Sequence, residues 1–164
     1  MRHVLSVLVA NHAGVLSRIS GLFSRRGYNI DSLSVGTTED PKYSRITVAL
    51  SGDERVIDQI QKQVAKLVDV LAVTELSHSD AVYRELCLVK VRADAQIRSE
   101  VFSLADIFRA NIVDVSGATL TVELTGDSSK IEAFIELLQP YGILEIVRTG
   151  LTGIARGAEI LKEN

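Results

Sequence analysis

Residues 3–27 read HVLSVLVANHAGVLSRISGLFSRRG, and two periodicities meet inside them. Leu5, Val7 and Val9 fall on one side of the opening run, and Val4, Leu8 and Ala10 on the other. Apolar residues on both sides predict a β-strand covered on both faces. Asn11-His12-Ala13-Gly14 breaks the run. Val15, Leu16, Ile19, Leu22 and Phe23 then recur at helical spacing, with Ser17, Arg18, Ser20 and Ser24 opposite them. Arg25 and Arg26 suit the negative end of the helix dipole. Gly27 stands where a left-handed residue closes a helix.

Working outward, Tyr28–Gly36 (Ile30, Leu33, Val35) and Tyr43–Ser51 (Ile46, Val48, Leu50) alternate as strands around a polar turn, Thr37–Lys42, that holds Pro41. Asp53 opens a second helix with Val56, Ile57, Ile60, Val64 and Leu67 on one stripe, and a last strand runs from about Val68 to Leu76. This is the β-α-β-β-α-β order of a ferredoxin-like unit. Ser77–Ala81 reads as a linker, after which the order repeats. Tyr83–Ala93 is a strand. Residues 96–110 are a helix with Ile97, Val101, Ala105 and Phe108 on one face. Ile112–Ser116 and Thr119–Thr125 form a hairpin through Gly117. A helix carrying Ile131, Phe134, Ile135 and Leu138 ends near Pro140 and Gly142, and Ile143–Arg148 is the final strand. The tail from Thr149 reads as partly helical or loose. The expected fold is α+β: two tandem ferredoxin-like βαββαβ domains, at 1–77 and at 82–164 with the tail.

Composition narrows the function. Among 164 residues, 18 basic and 21 acidic side chains give a net charge of -3, without the basic footprint of a nucleic-acid binder. Trp is absent, so the cores are built from Val, Ile, Leu and Ala. A single cysteine, Cys87, forms no internal disulfide, which suits a reducing compartment. The apolar run at 4–10 lacks a signal-peptide cleavage pattern, and no stretch reaches the ~18 apolar residues of a membrane span. A cytoplasmic protein is expected. Two domains of about 80 residues each bury a limited fraction of their surface, so this apolar chain is expected to pair as a homodimer through its N-terminal domains.

Catalytic signatures are missing. His3, His12 and His78 are far apart in sequence, and there is no HExxH, CxxC or GxSxG. No catalytic residue and no metal ligand is expected, and Cys87, inside an apolar strand, reads as an inert buried thiol. The informative segment is the strand-to-helix turn Asn11-His12-Ala13-Gly14-Val15-Leu16. A helix N-terminus exposes unpaired N–H groups and partial positive charge, and so accepts a carboxylate. Gly14 lets the backbone approach a ligand, and Asn11 supplies an amide donor and a carbonyl acceptor. Together they suit the carboxylate and ammonium of an α-amino acid; an ordinary helix cap with a turn glycine accounts for the same residues. In Tyr28-Asn29-Ile30-Asp31, Asn29 either satisfies turn backbone or faces a ligand.

The run NHAGVLSRISGLFSRRGYNIDSLSVG, residues 11–36, resembles the start of acetohydroxyacid synthase (acetolactate synthase) regulatory small subunits. The resemblance continues in SRITV at 44–48, QIQKQVAKLVDV at 59–70, RELCLVKV at 84–91, IFRANIVDV at 107–115 and RTGLTGIARG at 148–157. It implies that the N-terminal domain is an ACT-type amino-acid sensor. It also implies a catalytic large subunit as partner, carrying thiamine diphosphate, Mg2+ and FAD, which condenses pyruvate with pyruvate or 2-oxobutyrate towards valine, leucine and isoleucine. The small subunit, with no active site or cofactor of its own, raises that activity and confers feedback inhibition by valine. By the same resemblance, valine binds between the ACT domains of two copies. Asn11, His12, Ala13, Gly14, Val15 and Leu16 hold its backbone groups, and Asn29 and Ile30 reach it from the neighbouring copy. His12 and Ala13 stand at positions that vary in the family, where their backbone N–H groups serve equally.

Two other classes compete. One is an ACT-type sensor for another enzyme or for a transcription system; a DNA-binding version requires a helix-turn-helix and a basic face, and neither is visible. An enzyme in its own right requires that the chain alone transform pyruvate.

Overall fold

The computed structural model describes residues 1–76 and 79–163. Two compact units emerge, Met1–Val82 with Leu151–Asn164, and Tyr83–Gly150. The first contains β1 (Arg2–Ala10), α1 (Val15–Arg25), β2 (Ile30–Thr37), β3 (Tyr43–Ser51), α2 (Glu54–Ala65) and β4 (Val70–Leu76). Its strands are antiparallel in the order β2-β3-β1-β4. Next come β5 (Ala81–Arg92), α3 (Arg98–Ile107), β6 (Asn111–Val115), β7 (Thr119–Gly126), α4 (Ser128–Leu138), a 3-10 turn at Gln139–Tyr141 and β8 (Ile143–Arg148), with strand order β6-β7-β5-β8. Renumbered from its own start, the second order equals the first. The likeness extends to irregularities: the register shifts between Leu8 and Val9 (β1 on β4) and between Lys90 and Val91 (β5 on β8), and again between Ile30 and Ser32 (β2 on β3) and between Ile112 and Asp114 (β6 on β7). The fold is α+β and ferredoxin-like in both halves, as the patterning indicates.

Each unit has its own aliphatic core. In the first, Leu5, Val7 and Val9 of β1 and Ile46, Val48 and Leu50 of β3 meet Val15, Ile19 and Phe23 of α1 and Ile57, Ile60 and Val64 of α2. In the second, Cys87, Val89 and Val91 of β5 and Leu120, Val122 and Leu124 of β7 meet Val101 and Ala105 of α3 and Ile131, Phe134 and Leu138 of α4. On the other face of β1 Val4 and Ser6 are buried as well, with Leu8 and Ala10 half-buried.

Several strand ends shift by one or two residues, as where β2 begins at Ile30 and β4 at Val70, and three stretches differ further. Helix α3 is shorter than 96–110. Asp94 Oδ1 accepts the N–H groups of Gln96 and Ile97 and keeps them in a turn. At the other end Arg109 adopts a left-handed φ of 56°, and Ala110 N–H closes back on Ala105 O at 2.7 Å. The linker expected at Ser77–Ala81 is shorter, because Ala81 already opens β5; Ser77 and His78 lie outside the described residues. The tail, expected to be partly helical or loose and to follow the second domain, contains a short strand, β9 (Thr152–Ala155), and groups with the first unit. Hydrogen bonds hold it there: Leu151 N–H donates to Ser32 Oγ, Ser34 Oγ–H to Leu151 O, and Arg156 N–H to Asp80 O.

Two helices start on aspartates. Asp53 Oδ1 accepts Val56 N–H at 2.9 Å to cap α2, and Asp127 Oδ1 accepts Lys130 N–H at 2.9 Å to cap α4. That backbone bond, followed by one from Ser129, holds the Asp127 carboxyl below its ordinary pKa. A depressed folded-state pKa contributes stability above the unfolded value, about 3.9, and that contribution is lost as pH falls through the folded value. Asp53→Ala is expected to cost about 1 kcal/mol in denaturant unfolding at neutral pH. Asp127→Ala is expected to flatten the loss of stability below about pH 4; unfolding curves at stepwise lower pH check it.

Candidate functional site

The turn Asn11–Gly14 carries the chain from β1 into α1. Gly14 is the residue before the helix and has a φ of 87°, a left-handed conformation that glycine adopts without steric cost. No side chain caps α1, and its first turn contains no acid. The helix start therefore presents backbone N–H groups and partial positive charge without a side-chain acceptor from the protein itself.

The expected site residues differ in exposure and in what their side chains touch. Asn11, His12, Ala13, Gly14 and Leu16 are exposed at the helix start, whereas Val15 is buried in the core and offers only its backbone. The Asn11 side chain anchors the turn: Nδ2–H donates to Pro41 O at 2.9 Å, while its own N–H donates to Lys42 O at 2.7 Å. Asn29 is exposed and Ile30 packs partly against the first core. The two segments flank α1, which has 11 residues and so a length of about 16 Å at ~1.5 Å per residue. Within one copy they lie at opposite ends of that helix. Strand register agrees. Val9 pairs with Ser44, which pairs with Thr37, at the end where the turn begins; His3 pairs with Leu50, which pairs with Ile30, at the other end. Strand β2 is an edge of the sheet, with a single charge, Asp31, and Val35 exposed.

The structure adds a group that sequence reasoning missed. Asp69, just ahead of β4, is 10% exposed in its side chain. Its Oδ2 accepts Arg18 Nε–H at 2.6 Å and a second bond from Arg18 Nη2, and its Oδ1 pairs with His12 Nε2 at 2.9 Å. Ala10 N–H donates to Asp69 O at 2.9 Å. Arg18 also packs close to position 14. A Cβ there lies 3.2 Å from Arg18 Nη1, so a side chain at 14 pushes the guanidinium by a few tenths of an ångström.

Other polar groups are internal. Buried Glu85 accepts two hydrogen bonds from Arg148, at 2.6 and 3.0 Å. Burial raises the pKa of Cys87, against a smaller lowering by Arg148, which leaves an unreactive thiol. His3 is buried against Glu75 at 2.5 Å, and His78 lies outside the described residues. Among the described residues no cluster of three or more His, Cys, Asp or Glu is placed to hold a metal ion, and no helix is long and apolar enough to cross a membrane.

Comparison with known proteins settles the family. Residues 5–72 match a family model described as the AHAS small subunit-like ACT domain, and residues 84–157 match one described as the small subunit of acetolactate synthase. A Methanothermobacter thermautotrophicus protein named "probable acetolactate synthase small subunit" is 50% identical over 160 residues, 97% of this chain and 95% of that one. The chain belongs to the acetolactate synthase small-subunit family. The isozyme 3 small subunit of Salmonella typhimurium is 48% identical over 163 residues, 99% of this chain and 100% of that one. The crystal structure of the Thermotoga maritima acetolactate synthase small subunit superposes with a TM-score of 0.90 at 43% identity, covering 97% of this chain and 99% of that one. The candidate turn thus lies in the ACT domain of a regulatory small subunit, whose counterpart is a catalytic large subunit.

Two glycines, one just before α1 and one in its middle, separate backbone strain from helix propensity. A Cβ added at Gly21, inside α1, would have nothing within 4 Å, whereas Gly14 is left-handed and crowded by Arg18. Gly21→Ala is expected to stabilise by about 0.5–1 kcal/mol, and Gly14→Ala to destabilise by about 1–2 kcal/mol. Paired denaturant titrations check the opposite signs.

Proposed function

We propose that this chain activates an acetolactate synthase large subunit and makes it sensitive to feedback inhibition by valine, with the effector held between the ACT domains of two copies. The chain supplies no catalytic group. Thiamine diphosphate, Mg2+ and FAD belong to the large subunit, and the assembly works in the cytoplasm on the route to valine, leucine and isoleucine.

The observation that carries this reading is the uncapped start of α1 at Asn11–Leu16, in a chain about half identical to small subunits along nearly its whole length. The valine carboxylate is received by the N–H groups near Gly14 through charge-assisted hydrogen bonds. Asn29 and Ile30 lie too far along α1 to join the same ligand within one copy. A second copy removes the difficulty. The exposed β2 edge invites pairing, and antiparallel pairing of two β2 strands sets the Ile30 end of one beside the Thr37 end of the other. That is the end of the sheet from which the other copy's Asn11–Gly14 turn projects.

A feedback sensor releases its ligand as levels fall, which corresponds to affinities of about 1 µM to 1 mM, or roughly 4–8 kcal/mol. Gly14→Asp places a negative charge where the carboxylate binds and offers Arg18 a competing partner. Asn29→Ala leaves a ligand group unpaired, worth about 1–3 kcal/mol. With the large subunit, the parent is expected to increase acetolactate formation and valine to reduce it, while both substitutions raise the valine concentration for half-inhibition. Light scattering is expected to find at least a dimer. Unchanged inhibition in Gly14→Asp rules out the turn as the valine site.

A further inference from the structure

We propose that Asp69 is the positioning residue of this effector site, holding the Asn11–Gly14 turn in the shape that receives the amino-acid carboxylate. The inference rests on the reading of that turn as the valine site. A nearly buried carboxylate is costly unless it is paired and hydrogen-bonded, and the Asp69 carboxylate takes its partners from the turn and from the helix that the turn opens. His12 comes from the turn itself and Arg18 from the first full turn of α1. Through its carbonyl, Asp69 also holds Ala10, the last residue of β1. One residue therefore ties together the start of β4, the end of β1, the turn and the helix. On the opposite side Asn11 ties the turn to the β2–β3 hairpin through Pro41 and Lys42.

The consequence is preorganisation. A glycine-containing turn without a side-chain cap is free to sample other conformations, and ordering it on binding subtracts from affinity. Asp69 orders it beforehand and keeps the Arg18 guanidinium beside Gly14. Asp69 does not touch the effector; it acts through His12 and Arg18.

The test is titration of the full-length chain with L-valine by calorimetry, for the parent, Asp69→Asn, His12→Ala and the double variant, alongside their backbone amide spectra. Asp69→Asn is nearly isosteric but uncharged, and His12 is exposed, so His12→Ala tests the same pair without disturbing the core. Asp69→Asn is expected to weaken valine binding by roughly 3- to 100-fold, the range of couplings between contacting residues. His12→Ala is expected to lose less, and the double variant to bind no more weakly than Asp69→Asn, because both changes break one connection. The Ala13 and Gly14 amide signals are expected to shift and broaden in Asp69→Asn while that of Val48, in the core, stays in place. Parental affinity in Asp69→Asn or in His12→Ala overturns the proposal, as do losses that multiply in the double variant. A parent chain that binds no valine overturns the site reading and the Asp69 role together, which distinguishes that failure from the others.

Discussion

Strand β1 buries residues on both faces, Leu5, Val7 and Val9 on one and Val4 and Ser6 on the other, and the rest of the first unit is arranged around that constraint. On one face Leu5, Val7 and Val9 lie under α1 and α2. On the other, Ser6 is fully buried, and a buried hydroxyl needs a partner; Arg45 supplies it, Nε–H to Oγ at 2.7 Å, and burial lowers the Arg45 pKa in return. The tail meets the sheet through Ser32 and Ser34, two further hydroxyls. A strand fixed in this way gives the Asn11–Gly14 turn a rigid base. A binding loop needs such a base if its N–H groups are to keep their aim.

Helix α1 sets a second constraint, one of length. Its start and its end bear the two polar segments singled out in the sequence, and its length keeps them apart within one copy. A ligand that needs both is a ligand that joins copies. On the proposed reading this is the physical route of regulation: the effector biases how copies pair, and the pairing biases the large subunit. Only a difference in affinity between two states is needed, typically a coupling of about 1–3 kcal/mol.

The fold is legible in the sequence where local pattern and tertiary demand agree. The strand limits Tyr43–Ser51 and Ile143–Arg148, the Asp53 cap and the left-handed Gly27 follow from alternation, capping chemistry and glycine's freedom. The tail is not legible, because Thr152–Ala155 is four residues long and contains a glycine; its extended form follows from its neighbours and not from propensity. The proposed site is legible in part. Asn11–Leu16 stands out because a helix start is a local feature. Asp69 does not, because its partners Arg18 and His12 lie 51 and 57 positions away, by the residue numbers, and no periodicity announces an ion pair across the fold. Val15 belongs to the core and not to the site's exposed side chains, because a helix start must also bury its first apolar residue.

The measurement that tests the two-copy site most directly is complementation between Gly14→Asp and Asn29→Ala chains. In a dimer containing one of each, a site built from the turn of one copy and Asn29 of the other carries both substitutions at one interface position and neither at the other. Co-expression with two affinity tags isolates that mixed dimer, and valine binding is then read by calorimetry. One site of parental affinity per mixed dimer is expected, although both variants alone bind weakly. A mixed dimer that binds as weakly as the two variants alone contradicts the two-copy site and places the effector within a single copy.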